Sequence, residues 1–292
     1  MTRLGFKMTI AILLAVVLIL PGCSNKKEDS QARKPQTASS QKPKAPSEMK
    51  SIITDLEKII AGLEKKVKMS SKSILQQDSQ ISTEKEEQQS KNSKGQQGQG
   101  EQSQEGQANQ NKSSLVWQEE VSSVKKIHQN WNAVEPETVK AGMSVSERNS
   151  FELALEKLTL EIGQQNTENS LGAAIELYGE YANLVKVFDM PVPAELYQLK
   201  YELMAASAAA GKKEWQVAQE RIPRINEYWD HLKVKAKAKD EKLMTRTEFS
   251  IKDMINAFQS KEIDLLLVKA EIVMTNLQKL EKELSLQKST QS

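Results

Sequence analysis

Along residues 48 to 67 the large apolar side chains recur at alternating spacings of three and four: Met49, Ile52, Leu56, Ile59 and Leu63, with Ile53 and Ile60 widening the stripe. That rhythm predicts an amphipathic helix with Ser47 as its N-cap and a face that needs a partner. The pattern returns beyond residue 114. There Trp117, Val124, Ile127, Trp131 and Val134 fall on one helical face, Phe151, Ala154, Leu155, Leu158 and Ile162 mark a helix over 150 to 162, and a third helix covers 171 to 188. After Pro191 and Pro193, Leu196, Leu199, Leu203, Ala206 and Ala210 predict a helix over 194 to 210 that Gly211 ends. Three more follow, over 215 to 232, 242 to 258 and 263 to 284. In the last of these Ile263, Leu266, Ala270, Val273, Leu277, Leu280 and Leu284 keep the alternation of a coiled-coil seam. Pro223 lies inside the 215 to 232 helix at a cost of about 3 kcal/mol, yet the apolar phase runs through it, so a kink and not a break is expected. The fold class these patterns predict is all-α.

The rare residues give the organisation. Trp215 follows Trp117 by 98 positions, Trp229 follows Trp131 by 98, and Phe249 follows Phe151 by 98. The same offset of 98 pairs Gln118 with Gln216, Val124 with Ile222, Ile127 with Ile225, Val134 with Leu232 and Arg148 with Arg246. An internal duplication is expected. Further on the register slips, since Asn183-Leu184 matches Asn276-Leu277 at an offset of 93, as a shorter loop in the second copy would cause. The 194 to 210 helix would then complete a four-helix bundle with the second copy. The 48 to 67 helix would fill the same place in the first.

Two stretches lack the apolar content to fold. Residues 24 to 47 are rich in Lys, Gln, Ser and Pro, and residues 82 to 114 contain no aliphatic or aromatic side chain except Ala108, so a disordered tether and a Gln-rich disordered linker are expected. The tether's Lys26, Lys27, Arg33, Lys34, Lys42 and Lys44 outnumber Glu28 and Asp29, and that basic excess would add attraction to anionic lipid. The expected organisation is therefore 1 to 22 leader, 23 to 46 tether, 47 to 69 amphipathic helix, 70 to 113 linker, 114 to 190 first helical repeat and 191 to 292 second.

The leader carries Arg3 and Lys7 ahead of a nearly all-apolar run over residues 8 to 20, the layout of a secretory signal peptide and too short to span about 30 Å of hydrocarbon. It ends in Leu20-Pro21-Gly22-Cys23, which resembles the lipobox of bacterial lipoproteins. The resemblance implies cleavage after Gly22 and a thioether from Cys23 to a diacylglycerol with palmitate-type chains, and Pro21 is a departure from the commoner small or hydroxyl residue. Two acyl chains hold a protein to a bilayer durably where one does so marginally. The expected address is the extracytoplasmic face of the cell membrane. The Trp-bearing helical units are similar to helical domains of exported bacterial proteins, which implies no activity.

Charge and composition narrow the chemistry. The 41 basic and 39 acidic residues become balanced once Arg3 and Lys7 are removed with the leader. Such a balance, without a dense basic face, argues against nucleic acid as a partner. One Cys and two His, His128 and His231, cannot make a Cys/His zinc site, and no Gly-x-Ser-x-Gly elbow or Ser-His or Cys-His set is present. Gly95, Gly98 and Gly100 lack the preceding strand and following Lys-Ser/Thr of a phosphate loop. No cofactor is expected, and no enzyme.

The remaining candidates are few. The tryptophans, at helical spacing on apolar stripes, read as core in preference to an aromatic cage. Glu227, Asp230 and His231 share one helix face and could hold a divalent cation, although Gln129, Asn132 and Ala133 stand at the aligned places in the first copy, and a solvated face is the plainer reading. Glu176 and Glu180 could be half of a carboxylate site but lack a Glu-x-x-His companion. Arg148 and Arg246 suggest either interhelical ion pairs or recognition of an acidic ligand. The function these features favour is a membrane-anchored, non-catalytic interaction or scaffold module of the cell envelope, with an envelope protein or wall component as partner. The alternative is a solute- or metal-binding lipoprotein with its ligand between helices.

Overall fold

The computed structural model describes residues 42 to 87, 105 to 236 and 240 to 289, with backbone course alone at 70 to 87, 105 to 116 and 288 to 289. Every element of length in it is helical: α1 (Ser47–Glu87), α2 (Glu105–Lys140), α3 (Val145–Gly163), α4 (Thr167–Leu184), α5 (Ala194–Gly211), α6 (Trp215–Glu220), α7 (Ile222–Lys235), α8 (Glu241–Ser260) and α9 (Ile263–Ser289). The chain is an all-α protein of tandem helical bundles. The leader, Cys23 and most of the tether lie outside the described residues, as does the centre of the Gln-rich stretch.

Within the Gln-rich stretch the course of α1 runs to Glu87 and that of α2 starts at Glu105. The tether's last residues are also held: Lys44 makes an isolated bridge with Asp189, whose N–H donates to the Pro43 carbonyl at 2.8 Å.

In the first bundle α1 packs on α2 and α4, α2 on α3, and α3 on α4. The second repeats that ring of neighbours, with α5 on α6, α7 and α9, α7 touching α8, and α8 on α9. The helix at 48 to 67 therefore stands in the first bundle where α5 stands in the second. Their inward residues correspond one by one: Met49, Ile52, Leu56, Ile59 and Leu63 fall 147 positions before Leu196, Leu199, Leu203, Ala206 and Ala210, and Pro46 precedes α1 as Pro193 precedes α5 at the same distance of 147. Seven apolar side chains of α1, Met49 to Leu63, are buried, and at roughly 1.5–3 kcal/mol each they anchor the helix firmly.

The offset of 98 holds for α2 against α6 and α7, where Ile127, Trp131 and Val134 and their counterparts Ile225, Trp229 and Leu232 are all buried. It does not hold beyond. Val145 and Glu241 open α3 and α8, Ser144 and Asp240 cap them through the N–H groups of Glu147 and Leu243, and Gln165 and Lys261 end them with positive φ, each pair 96 apart. The burial pattern follows: Leu177, Tyr181, Leu184 and Phe188 lie 96 before Val273, Leu277, Leu280 and Leu284, all buried. The match of Phe151 with Phe249 is therefore one of residue type and not of place. Phe151 is fully buried whereas Phe249 is 62 % exposed. The Asn183-Leu184 match at 93 is likewise not a structural equivalence, because Leu184 stands where Leu280 does.

The expected kink at Pro223 is instead a one-residue interruption. Arg221 leaves the helical hydrogen-bond pattern while keeping an αR backbone, and Pro223 falls in the first turn of α7, where a missing N–H goes unfelt. The apolar phase passes through unbroken.

Candidate functional site

Between the bundles α4 lies against α5. Helix α5 is apolar nearly all round, and within it Lys200 is completely buried. Its ammonium donates to Glu57 of α1 at 2.9 Å and to Glu281 of α9 at 2.5 Å, so that one cation ties three helices far apart in the chain. Around it Tyr178 donates to Glu57 at 3.3 Å and Tyr181 donates to the Met49 carbonyl at 3.1 Å. Tyr197 bonds to Glu281 and meets the Tyr181 ring edge-on at 5.5 Å. Burial alone would lower the pKa of Lys200, but Glu281 and Glu57 outweigh it and hold the ammonium above the ordinary lysine value. Burial, reinforced by the same two carboxylates, pushes the Tyr178 and Tyr181 phenols well above the usual range, and they stay neutral donors. This cluster is a fastening: its polar atoms are used by one another.

A more available surface lies on the outer side of the second bundle. A shallow groove of about 650 Å3 runs between α8 and α9, with Phe249 and Ile272 exposed on its walls and Arg246 at its side. Its floor is fixed, because Asn276 donates to the Ser250 hydroxyl at 3.1 Å and Lys269 pairs with Asp253 at 2.9 Å. Val268 and Leu265, also exposed, continue the apolar line from Ile272 along the same face of α9 at helical spacing. At the 96-residue register the same groove in the first bundle runs between α3 and α4, with Leu153 in place of Phe249 and Glu176 in place of Ile272. There it is flanked by α5 and α7, whose Gln198, Tyr201, Arg224 and Tyr228 line it. The groove that two further helices flank in one bundle lacks them and is more apolar in the other, although Leu153 and Phe249 are about equally exposed, at 64 % and 62 %.

The residues singled out in the sequence fall as follows. Arg148 pairs with Glu135 at 3.4 Å, whereas Arg246 is exposed beside Phe249 and shares neither helix position nor partner with it. Glu227, Asp230 and His231 are all exposed on α7, and Asp230 pairs with Lys233 at 2.9 Å. No group of three His, Cys, Asp or Glu placed to hold a metal occurs among the described residues. Trp131 packs on Phe151 with ring centroids 4.2 Å apart, Trp117 lies 4.7 Å beneath the Lys66 ammonium, and Trp117, Trp131 and Trp229 are core, with Trp215 half-buried against it. They form no cage. Among the described residues no helix is long and apolar enough to cross a membrane. Lys200 and Glu202 went unnoticed in the sequence, though two charges inside the apolar run from Leu196 to Ala206 were the signal for them.

Comparison with family models, with curated proteins and with solved structures returns no match.

Proposed function

We propose that this chain is a lipid-anchored, extracytoplasmic docking module that binds another envelope protein through the α8/α9 groove and carries out no catalysis itself. The observation that supports this reading is the exposed line of Phe249, Ile272, Val268 and Leu265: large apolar side chains on a groove with no further helix lining it, whereas the equivalent groove of the first bundle is lined by α5 and α7 as well and carries Glu176 in place of Ile272. A contiguous apolar strip with a polar rim is the usual mark of a protein contact. Because helices α5 and α7 flank its counterpart, the fitting partner segment is itself a helix with apolar residues at three- and four-residue spacing, and a carboxylate on it would meet Arg246. The leader and Leu20-Pro21-Gly22-Cys23 supply the address through their resemblance to a lipobox: the tether would place the bundles outside the membrane, within reach of exported proteins.

The test is a photo-crosslinking amino acid at position 249 in living cells. A discrete adduct with one exported or membrane protein is expected, and Ile272→Glu should abolish it while leaving the thermal transition in place. A crosslinking pattern indistinguishable from that of a probe on the opposite, polar side of α7 would defeat the proposal.

A further inference from the structure

The groove that α5 and α7 flank in the first bundle is not filled. Where α5 and α7 approach α3 and α4 they leave a cleft of about 550 Å3, inside the range of about 300–1,000 Å3 that small-molecule sites occupy. Its walls are polar. Most of their charges are already paired: Lys157 with Glu176 at 2.6 Å, and Glu202 with Arg221 at 2.8 Å and Arg224 at 3.5 Å. What remains unpaired is more informative. Gln198 is only 8 % exposed and lines the cleft, and its amide, which makes no hydrogen bond to a described residue, is not among the fully buried polar atoms and so stays open to a ligand from the cleft. Glu180 and the Tyr228 hydroxyl, on facing walls, also make no hydrogen bond to a described residue. Tyr201 adds a ring held in place by the Arg221 guanidinium 5.4 Å above it.

We infer that this cleft is a binding site for a short saccharide. The choice follows from what each unpaired group requires. Glu180 accepts and cannot donate, Gln198 does both, and two phenol rings offer apolar faces, so the occupant must carry several donors and acceptors on a skeleton with C–H faces. A hydroxylated sugar ring does so. An anion would face the Glu180 carboxylate, while the cations beside the cleft, Lys157, Arg221 and Arg224, are already engaged by Glu176 and Glu202. A hydrocarbon would leave Gln198 and Glu180 dry and unsatisfied at about 1–3 kcal/mol each. The site is separate from the α8/α9 groove and stands or falls without it.

The experiment is saturation-transfer NMR on the full chain in detergent, titrated with chitotriose and with maltotriose. Saturable transfer to at least one of them is expected, with Gln198→Leu weakening it roughly tenfold or more, which is the loss of about one hydrogen-bonded group. Glu180→Gln, on the half-buried rim, should weaken it as well and decides the matter alone if Gln198→Leu unfolds. Phe249→Glu should change nothing. Absence of transfer from both saccharides at roughly 10 mM, tenfold above a 1 mM dissociation constant, overturns the inference, as does binding that survives both substitutions.

Discussion

Replacing Lys200 by Met removes an ammonium that two distant carboxylates share while keeping most of the side-chain volume, so the loss is one of charge and not of packing. Deleting one partner of a fully buried ion pair costs about 3–5 kcal/mol. Here Glu57 and Glu281 retain 34 % and 20 % exposure, water recovers part of that loss, and the expected destabilisation is about 2–4 kcal/mol. Urea unfolding followed by tryptophan fluorescence measures it, since Trp117, Trp131 and Trp229 are buried in the native state. With a slope of about 2 kcal/mol per molar, the midpoint should fall by roughly 1–2 M. Adding Glu57→Gln and Glu281→Gln to Lys200→Met should restore more than half of the loss, because an uncharged cluster leaves no buried charge unmet. In the parent the raised Lys200 pKa contributes stability that is complete below the ordinary lysine value and is lost only as the pH climbs through the raised one, so nothing is forfeited near neutrality. A single variant within about 0.5 kcal/mol of the parent would show that the three helices are held by their apolar faces alone.

Three further substitutions test the register and the address. Phe151→Ala should cost about 3–5 kcal/mol, since it empties a fully buried site against Trp131, while Phe249→Ala should stay within about 0.5 kcal/mol in the same thermal or urea assay; equal losses would restore the 98-residue pairing of the two. Cys23→Ser should move the protein from the membrane fraction to the soluble one, and retention in the membrane would remove the lipid anchor from the proposed function.

Helix type and apolar faces were legible because a period of 3.6 survives any choice of register. The partner of α1 was legible too, since an exposed stripe of Met49, Ile52, Leu56, Ile59 and Leu63 has to be buried somewhere. The register was only half legible. Matching rare residues succeeds where the residue is core in both copies, as at Trp131 and Trp229, and fails where one copy has moved it to the surface, as at Phe249. Caps were the better guide: Ser144 and Asp240, each three residues before a backbone N–H that it accepts, mark the true shift of 96. The pairing of α1 with α5 was present as Pro46-Ser47-Glu48-Met49 against Pro193-Ala194-Glu195-Leu196, but the long insertion between α1 and α2 hides it from any constant offset. The apolar run around Lys200 and Glu202 signalled their burial, but the partners of Lys200 and the cleft lined by α3, α4, α5 and α7 were not legible. Both are made of residues whose nearness is set by how one bundle lies on the other, and no local period encodes that.

That junction turns on Gly179. A Cβ there would stand 2.7 Å from Cε2 and 2.9 Å from Cζ of Tyr201, a ring that cannot bend away and is capped by Arg221. Gly179→Ala therefore sets two effects against each other. The interior of α4 gains about 0.8–1 kcal/mol of helix propensity, and the forced separation of α4 from α5 costs about 1–3 kcal/mol. In the parent the clash should win and the variant should be destabilised. In a Tyr201→Ala background the ring is gone, only the propensity gain remains, and the same substitution should stabilise. A double-mutant cycle in urea reads that change of sign directly. If Gly179→Ala stabilises both backgrounds equally, α4 and α5 are not pressed together there, and neither the burial of Lys200 nor the shape of the cleft can be attributed to their contact.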